Sequence, residues 1–319
     1  MRKTKEITVL VAVMNKEGTI RDCIESLLKL DNAPAKIMVI DGYSSDGTYE
    51  ILKEYEGKIE ISQFPANLSK TFNWALDKIE TEYVTFTDGD CVVSPGWLTE
   101  LLKGFEEENV VATAGYCGTP KSPSLLQRMI GLELESRFRK FPKYLSRAPT
   151  MNLCVKTGVA KKVRFDEKQM VGVEVDFGWR LSKLGKIVYQ PKAKVLHYHR
   201  ATLKNYFKQQ KNQAECGLRL LSKHGRRALS DHITTSSMTI QIPLFFLSLA
   251  FLFFSLFNQI FVLIFFLSIL ILFGIYLKTT IEINPPKKLY LPFLGLFFFR
   301  TLAWAVGVSE GIVRFHFFP

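Results

Sequence analysis

One stretch of the sequence restricts the fold more than any other. Ile240–Leu277 is almost wholly apolar and contains no charged residue. At about 20 residues per crossing, this stretch is long enough for two membrane-spanning helices. Asn258 and Gln259 divide it into two halves. The sequence therefore predicts a helical hairpin with spans at about 240–257 and about 260–277.

A third apolar segment follows at about 289–313, but it contains Arg300 and Glu310. A charge inside a span is costly and usually faces protein or water, so this segment either crosses the membrane or is re-entrant. Basic residues flank the hairpin on both sides: Lys223, Arg226, Arg227, Lys278, Lys287 and Lys288. By the positive-inside rule, both flanks lie in the cytoplasm and the hairpin tip lies outside. We therefore expect a multi-pass protein of the cell membrane.

The charge and the cysteine content narrow the class of protein. The chain of 319 residues has a formal net charge of +12, which suits nucleic acid, an anionic membrane surface or an anionic substrate. It has no zinc-finger spacing and no run of interleaved aromatic and basic residues, so we expect no nucleic-acid partner. Its five cysteines form no CxxC pair, which argues against a disulfide framework or a zinc site. The N-terminus has no apolar signal-peptide core, so the first domain is expected to stay in the cytoplasm.

Short apolar strands alternate with helices over the first part of the chain. Buried strands are predicted at Ile7–Met14, Lys36–Ile40, Ile59–Gln63 and Tyr83–Thr87, with helices between them at Thr19–Leu30, Ser45–Tyr55 and Ser69–Ile79. This alternation predicts a doubly wound α/β sheet. In such sheets, ligands bind beyond the carboxyl ends of the strands, where Asn15, Asp41 and Asp88 are expected.

The region between this α/β pattern and the apolar hairpin is more varied. Ser124–Pro149 is basic and predicts a helix. Strands are predicted at Thr150–Val155, Lys186–Tyr189 and Lys194–Leu196, and another helix at Glu174–Leu184. Leu203–Leu229 predicts a basic amphipathic helix, which either packs on the domain or lies on the membrane surface. We favour the membrane surface, because an apolar segment follows at once.

The strongest local signal for chemistry is Thr85–Cys91, with the sequence TFTDGDC. Two carboxylates, Asp88 and Asp90, are separated by one residue and follow an apolar strand. Oxygen ligands at this spacing suit Mg²⁺ or Mn²⁺, which can bridge a diphosphate and neutralise charge on a departing nucleoside diphosphate. The alternative is a surface turn, because Asp-Gly is common in turns. The position after the fourth predicted strand favours the metal site.

Four motifs, in this order, resemble those of inverting family 2 glycosyltransferases. VAVMNKEGTIRDCIESLL resembles the first strand and turn of the family, and IMVIDGYSSDGT resembles its second strand. SKTFNWALDKIETEYVTFTDGDCVVSPGWL resembles the helix with its Lys and Asn, the Asp-x-Asp strand and the following Pro-x-Trp-Leu. VGVEVDFGWRLSKLGKIVYQPKAKVLHYHR resembles the acceptor-side block. The resemblance covers about residues 7–215 and implies a GT-A fold, in which one α/β domain binds a nucleotide-sugar.

The resemblance also implies roles for individual residues on the donor side. Asn15 and Glu17 match the first turn of the family, which contacts the nucleotide. Asp41 matches the acid that commonly reads the base, and Lys70 matches a basic position beside the nucleotide. The implied donor is a nucleotide-diphosphate sugar.

The same resemblance implies a metal site with Mg²⁺ or Mn²⁺ as cofactor. Asp88 matches the first Asp of Asp-x-Asp, near ribose or metal, and Asp90 matches the metal ligand. His197 matches a late His that lies near the diphosphate in some members of the family. It is therefore a candidate metal or phosphate contact.

An inverting transfer needs a base that takes a proton from the acceptor hydroxyl, opposite the leaving group. The family usually has Glu-Asp followed by x-Asp, and the aligned stretch here is Val173-Glu174-Val175-Asp176. Glu174 falls where the basic Asp normally lies, and Val173 replaces the preceding acid. The catalytic base is therefore Glu174 or Asp176, and we favour Glu174. Both could instead be charges at the start of a helix, where the helix dipole favours them.

Together these features predict an enzyme that transfers a sugar, with inversion and metal assistance, to a membrane-associated acceptor such as polyprenyl phosphate, a lipid-linked glycan or a lipid. Two alternatives stay open: a membrane scaffold that binds nucleotide-sugar without turnover, and a sugar-nucleotide pyrophosphorylase, for which the first turn has too few glycines. The predicted domains are a GT-A catalytic domain at 1–200, an amphipathic interfacial region at 201–235 and a transmembrane region at 236–319.

Overall fold

The computed structural model describes residues 6–65, 67–121, 124–169 and 171–317. The contacts within the chain divide it into two compact units. The first, here called the sheet unit, consists of Met1–Lys121 and Phe138–His199. The second, the helical unit, consists of Ser122–Arg137 and Arg200–Pro319. The chain therefore leaves the sheet unit, returns to it, and then enters the helical unit a second time.

The sheet unit is built on a nine-stranded mixed sheet. Its strands are β1 (Ile7–Val13), β2 (Lys36–Asp41), β3 (Glu60–Gln63), β4 (Tyr83–Asp88), β5 (Cys91–Val93), β6 (Val110–Gly118), β7 (Tyr144–Leu145), β8 (Leu153–Lys156) and β9 (Lys186–His197). Their order is β3-β2-β1-β4-β8-β6-β9-β5, and β7 also pairs with β9. The first four strands in this order are parallel, whereas β8 and β5 run antiparallel to their neighbours. The predicted mixed α/β sheet is confirmed.

Helices connect these strands and form the second unit. In chain order they are α1 (Ile20–Leu28), α2 (Thr48–Lys53), α3 (Leu68–Lys78), α4 (Trp97–Lys103), α5 (Leu125–Phe138), α6 (Thr157–Val163), α7 (Val173–Leu181), α8 (Leu203–His224), α9 (Ser236–Thr239), α10 (Gln241–Phe254), α11 (Ile260–Ile283) and α12 (Tyr290–Phe317). α5 up to Arg137 and all helices from α8 onward belong to the helical unit.

The main core of the sheet unit includes residues from the sheet, α3, α6 and α7. Four phenylalanines form its centre, and the ring centroids of Phe165 and Phe177 are 4.0 Å apart. Phe72 packs on both Phe165 and Phe86. Each fully buried Phe side chain stabilises the fold by roughly 1.5–3 kcal/mol. Because Phe177 is on α7, this cluster holds that helix against the sheet and so positions its first turn.

Two predicted strands prove to be one. β9 is continuous from Lys186 to His197, although the sequence predicts separate strands at Lys186–Tyr189 and Lys194–Leu196. The pairing with β6 passes directly from Gln190 to Lys194. The intervening residues form an irregularity that contains Pro191, which cannot donate a hydrogen bond to the ladder.

Two other boundaries are also wrong in the prediction. The helix predicted at Ser124–Pro149 ends at Phe138 as α5, and the chain soon reaches Pro142, which disfavours a helix. The strand predicted at Thr150–Val155 begins only at Leu153, because a 3₁₀ turn follows Pro149.

Among the described residues, three segments of the helical unit are long and apolar enough to cross a membrane: Ser236–Phe254, Ile260–Ile283 and Lys287–Arg314. The first two form the predicted hairpin. Only 17% of the most apolar part of each is buried within the protein, against 50% for the third. The third segment therefore differs from the hairpin in being largely covered by other helices.

Arg300 and Glu310, the two charges inside the span predicted at about 289–313, both have partners in the helical unit. Arg300 is only 2% exposed, and it donates a hydrogen bond to Glu133 Oε1 on α5 at 2.5 Å. Its guanidinium also lies over the ring of Trp304, 4.4 Å from the centroid. Lys211 Nζ on α8 donates to Glu310 Oε2 at 2.5 Å. Helix-to-helix ion pairs thus account for charges in an otherwise apolar stretch.

α8 packs along α12 through small residues. A Cβ atom on Gly307 would lie 2.1 Å from the carbonyl oxygen of Lys211, and one on Gly311 would lie 2.8 Å from Leu218 Cδ1. Trp304 Nε1 donates to Gln210 Oε1 at 3.0 Å. Both glycines are therefore needed for this close approach. α8 is packed on another helix, and its contact with a membrane surface stays a prediction.

Candidate active site

The candidate site lies where β4 and β9 end at one edge of the sheet. Asp88 is the last residue of β4, and Asp90 lies in the turn before β5. β5 pairs antiparallel with β9, so that Cys91 lies opposite His197, the last residue of β9. This pairing brings His197 Nε2 to 3.3 Å from Asp90 Oδ1.

These residues form a group that could hold a metal ion. Donor atoms of Asp88, Asp90, Cys91 and His197 all lie within 4.8 Å of one another. Two carboxylates and an imidazole suit a divalent cation such as Mg²⁺ or Mn²⁺. Cys91 fits less well, because burial raises the pKa of its thiol well above the usual value and so keeps it protonated. The donor set therefore fits the predicted cation through Asp88, Asp90 and His197.

The two carboxylates of the group differ in their protonation. Burial and the charge of Asp90 raise the pKa of Asp88 to about 6, against the opposing effect of His197 and Lys16. Burial also disfavours a charge on Asp90. Hydrogen bonding from His197 and the charges of His197 and Lys16 outweigh that cost and lower the pKa of Asp90. Asp90 is thus the permanent anion of the pair.

Lys16 belongs to the site, although the sequence analysis did not identify it. Its ammonium forms an ion pair with the carboxylate of Asp90, and its backbone N–H donates to Thr48 Oγ1 at 2.7 Å. The one sequence feature that could have indicated Lys16 is its position in the turn after β1, between Asn15 and Glu17. Nothing local identifies its partner, because Asp90 comes from a different strand end.

Asn15 and Asp41 hold two neighbouring strand ends together. Asn15 has a positive φ of 54°, a conformation that asparagine tolerates better than most residues. Its Oδ1 accepts a hydrogen bond from Ser45 N at 2.8 Å. Asp41 is fully buried and accepts hydrogen bonds from Ser44 Oγ at 2.5 Å and Gln63 Nε2 at 2.9 Å. The loop after β2 is therefore fixed against the turn after β1.

Glu17 also contacts the loop after β2, at Asp46 and Gly47. Its backbone N–H donates to Asp46 Oδ2 at 3.2 Å, and a Cβ atom on Gly47 would lie 2.7 Å from Glu17 Oε1. The predicted donor-side residues Asn15, Glu17 and Asp41 are thus brought together by one loop.

The middle residue of Asp88-Gly89-Asp90 is constrained by packing. A Cβ atom on Gly89 would lie 2.8 Å from Val13 Cγ2. Thr19 Oγ1 donates to the carbonyl oxygen of Gly89 at 3.0 Å. The turn therefore lies tightly against β1 and the start of α1, which sets the positions of both carboxylates.

Lys70 stands apart from these groups. It lies in the first turn of α3, where its backbone N–H donates to the Asn67 side chain at 2.9 Å. Its side chain is exposed. Among the described residues, no hydrogen bond or ion pair joins its ammonium to the cluster.

Glu174 and Asp176 share the first turn of α7 but have different surroundings. Glu174 is partly exposed, and burial raises its pKa against the opposing charge of Arg147. The charge of Glu174 contributes to raising the pKa of Asp88, so the two carboxylates lie within electrostatic reach. Asp176 is fully buried and is held by Arg180. Only Glu174 combines partial exposure with an interaction with Asp88.

Residues 8–166 match the family described as "Glycosyl transferase family 2". The chain is 32% identical over 106 residues to the glycosyltransferase GlyA of Streptococcus pneumoniae serotype 4, covering 32% of this chain and 15% of that protein. It is 23% identical over 259 residues to the poly-β-1,6-N-acetyl-D-glucosamine synthase of Staphylococcus epidermidis, covering 76% of this chain and 61% of the synthase. The chain thus spans less than two thirds of each of these relatives.

A solved structure with a similar fold is that of the mannosyltransferase PcManGT from Pyrobaculum calidifontis in complex with GDP-Man and Mn²⁺. The similarity covers 97% of this chain and 89% of that one, with a TM-score of 0.60 and 14% sequence identity. At this identity, the similarity is one of fold.

Proposed function

Because the chain belongs to glycosyl transferase family 2, we propose that it transfers a sugar from a nucleotide-diphosphate sugar to a membrane-associated acceptor, with inversion at the anomeric carbon. The acceptor would be a polyprenyl phosphate, a lipid-linked glycan or a lipid. The observation that supports this proposal best is the clustering of Asp88, Asp90 and His197 at one sheet edge, within electrostatic reach of Glu174.

The donor would bind at the ends of the parallel strands. The fixed loop that joins Asn15, Glu17 and Asp41 offers polar groups to the nucleoside, at the edge where α/β sheets bind ligands. The exposed ammonium of Lys70 would approach from α3. The mannosyltransferase of similar fold was solved with a nucleotide-sugar, GDP-Man, which supports a donor of this class here.

A cation such as Mg²⁺ or Mn²⁺ at Asp88, Asp90 and His197 would neutralise charge on the departing nucleoside diphosphate. The mannosyltransferase of similar fold was solved with Mn²⁺. Lys16 keeps an additional positive charge at the carboxylate of Asp90. Lys16 would thus add a positive charge close to the proposed position of the departing diphosphate.

We assign the role of base to Glu174. It would take the proton of the acceptor hydroxyl while the hydroxyl oxygen forms a bond to the anomeric carbon and the bond to the diphosphate oxygen breaks. Its raised pKa lies closer to neutrality than that of an ordinary glutamate, which improves a base that works near neutral pH. Asp176 suits the role less, because Arg180 already engages its carboxylate.

The proposed location is the cell membrane, with the sheet unit in the cytoplasm. The apolar α10 and α11 would anchor the chain. The basic residues before and after this hairpin support a cytoplasmic position for both of its ends.

The test is sugar transfer by the purified full-length protein. A thermal-shift panel of UDP-, GDP- and dTDP-sugars with Mn²⁺ would identify the donor, because ligand binding raises apparent stability. Transfer from that donor to a lipid extract is then compared between the wild type and Asp90→Ala. We expect the variant to lose about 100-fold or more of the rate, whereas Asp77→Ala, at an exposed carboxylate paired with Arg164, keeps it. An unchanged rate in Asp90→Ala would refute the metal assignment.

A further inference from the structure

α12 runs side by side with α8 and in the same direction. Their contacts follow the same order in both helices: Phe207 with Phe299, Lys211 with Gly307, and Glu215 with Gly311. The contact continues to the end of the described side chains, where Arg314 Nη1 lies 2.5 Å from Glu215 Oε1. From Phe299 onward, α12 therefore lies at the same depth as α8.

α8 is too charged to lie within the hydrocarbon of a bilayer. Along its length it carries Lys204, Lys208, Lys211, Glu215, Arg219 and Lys223. Lys204, Lys208 and Lys223 are exposed on this helix, and an exposed charge at the centre of a membrane is costly. A helix that shares the depth of α8 over several turns is therefore not crossing the membrane along those turns.

A second contact leads to the same conclusion at the middle of α12. Arg300 is paired with Glu133 on α5. α5 has 14 residues, which at 1.5 Å each gives about 21 Å, short of the ~30 Å of a hydrocarbon core. It also carries further charges at Arg128, Glu135 and Arg137. The middle of α12 is thus packed on a second helix that is unsuited to a bilayer interior.

The opposite face of α12 has the character of a lipid contact. Val306, Ile312 and Val313 are 40%, 54% and 55% exposed. Val306 and Val313 are seven residues apart and share one helix face. This apolar row belongs to the same compact unit as α10 and α11, whose exposed side chains are apolar almost throughout. Lipid is therefore the partner that matches the row.

We propose that, of the three apolar segments among the described residues, only α10 and α11 cross the membrane, and that α8 with the C-terminal half of α12 forms a two-helix layer on its surface. The layer would lie on the side where α10 begins, with Val306 and Val313 against lipid and the charges of α8 toward water and headgroups. Apolar composition alone would instead give α12 a third crossing. The proposal goes beyond the transfer reaction and does not depend on it.

Cysteine labelling tests this topology, because all five natural cysteines are buried. The full-length variants Lys223→Cys on α8, Arg314→Cys on α12 and Phe257→Cys at the hairpin tip are compared in sealed inside-out and right-side-out vesicles. The reagent is a membrane-impermeant maleimide. We expect Arg314→Cys to react in the same vesicles as Lys223→Cys, and Phe257→Cys only in the other preparation. Reaction of Arg314→Cys together with Phe257→Cys, or only after detergent, would overturn the proposal.

Two further variants protect the test against misfolding and examine the lipid contact. Ser309→Cys, a small substitution at an exposed site on the same helix face as Val306 and Val313, should react slowly in vesicles and from the same side as Lys223→Cys. Val313→Cys should label several-fold more slowly than its neighbour Arg314→Cys in vesicles, and detergent should remove the difference. Equal labelling rates in vesicles would show that Val313 faces water, which contradicts the lipid-facing row.

Discussion

The carboxylate of Asp176 accepts two hydrogen bonds from Arg180, one turn further along α7: the Nε–Oδ2 distance is 2.8 Å and the Nη2–Oδ2 distance is 2.6 Å. Arg180 in turn donates to the carbonyl oxygens of Val163 and Arg164. Asp176 therefore ties the first turn of α7 to the end of α6. Asp176 therefore has a structural role, whereas Glu174, two residues before it, is the proposed base.

Glu174→Gln should thus mainly lower the transfer rate, whereas Asp176→Asn should mainly lower stability. Glu174→Gln removes the proposed base, so we expect transfer to fall about 10²- to 10⁴-fold with little change in stability. Asp176→Asn breaks a buried ion pair and should lower the free energy of unfolding by about 3 kcal/mol. Initial rates and urea unfolding of the purified proteins measure both effects. Normal transfer by Glu174→Gln would eliminate Glu174 as the base.

The pH dependence of kcat/KM for the wild type should reflect the ionisation of Glu174. A base acts only when it is ionised, so kcat/KM should fall as the pH drops through the pKa of Glu174. Since burial raises that pKa, the fall should occur above about 4.3, the value of an unperturbed glutamate. At a saturating concentration of Mn²⁺, which keeps Asp88 ionised, Glu174→Gln should keep its residual activity through the same range. A wild-type profile that stays level down to a pH of about 4 would be inconsistent with this assignment.

Binding of Mn²⁺ should weaken in mild acid. Because the pKa of Asp88 is raised to about 6, protons compete with a cation for this carboxylate below that pH and leave it free above. We expect the rise in Tm on addition of Mn²⁺ to be clearly larger at a pH of about 7.5 than at about 5. Asp88→Asn, which cannot ionise, should show a small shift at both. The same shift for the wild type at the two pH values would contradict the assignment of Asp88 as a ligand.

Two glycines of α12 should respond differently to alanine. A Cβ atom on Gly307 would meet the backbone of α8 at 2.1 Å, whereas one on Gly295 has nothing within 4 Å. Gly307→Ala should separate the two helices and lower the Tm of the full-length protein. Gly295→Ala should be neutral or stabilise the helix by up to about 1 kcal/mol, the difference in helix propensity. If both variants melt alike, α8 and α12 do not pack as described.

The donor-side half of the fold could be predicted because its signals are local. β1, β2 and β4 are short apolar runs, and a polar residue stands at the sheet edge where each ends, as with Asp41 and Asp88. Four ordered motifs then indicated the family and the enzyme class, and both predictions are confirmed. The roles of Asn15, Glu17, Asp41 and Lys70 stay predictions, as do those of the metal ligands and the base.

The features that local sequence patterns do not predict depend on contacts between residues far apart in the chain. β5 has only three residues, Cys91–Val93, and exists because β9 pairs with it. No local pattern in the sequence shows this pairing, and only the family resemblance indicated His197 as a metal or phosphate contact. Lys16 was missed for the same reason, since its partner is on another strand. β6 was not predicted either, although its largely apolar run at Val110–Gly118 is a local signal.

The assignment of α5 to the helical unit affects how the protein can be made and dissected. α5 interrupts the sequence of the sheet unit, yet its buried Met129 and Glu133 are covered by residues that include Arg300 and others near the C-terminus. On the ribosome, α5 emerges long before those partners and must stay unpaired until α12 has been synthesised. A fragment truncated at His199 would carry the same uncovered helix permanently. Cutting the chain at the boundary of the sheet unit should therefore yield an aggregation-prone product rather than an isolated, soluble enzyme domain.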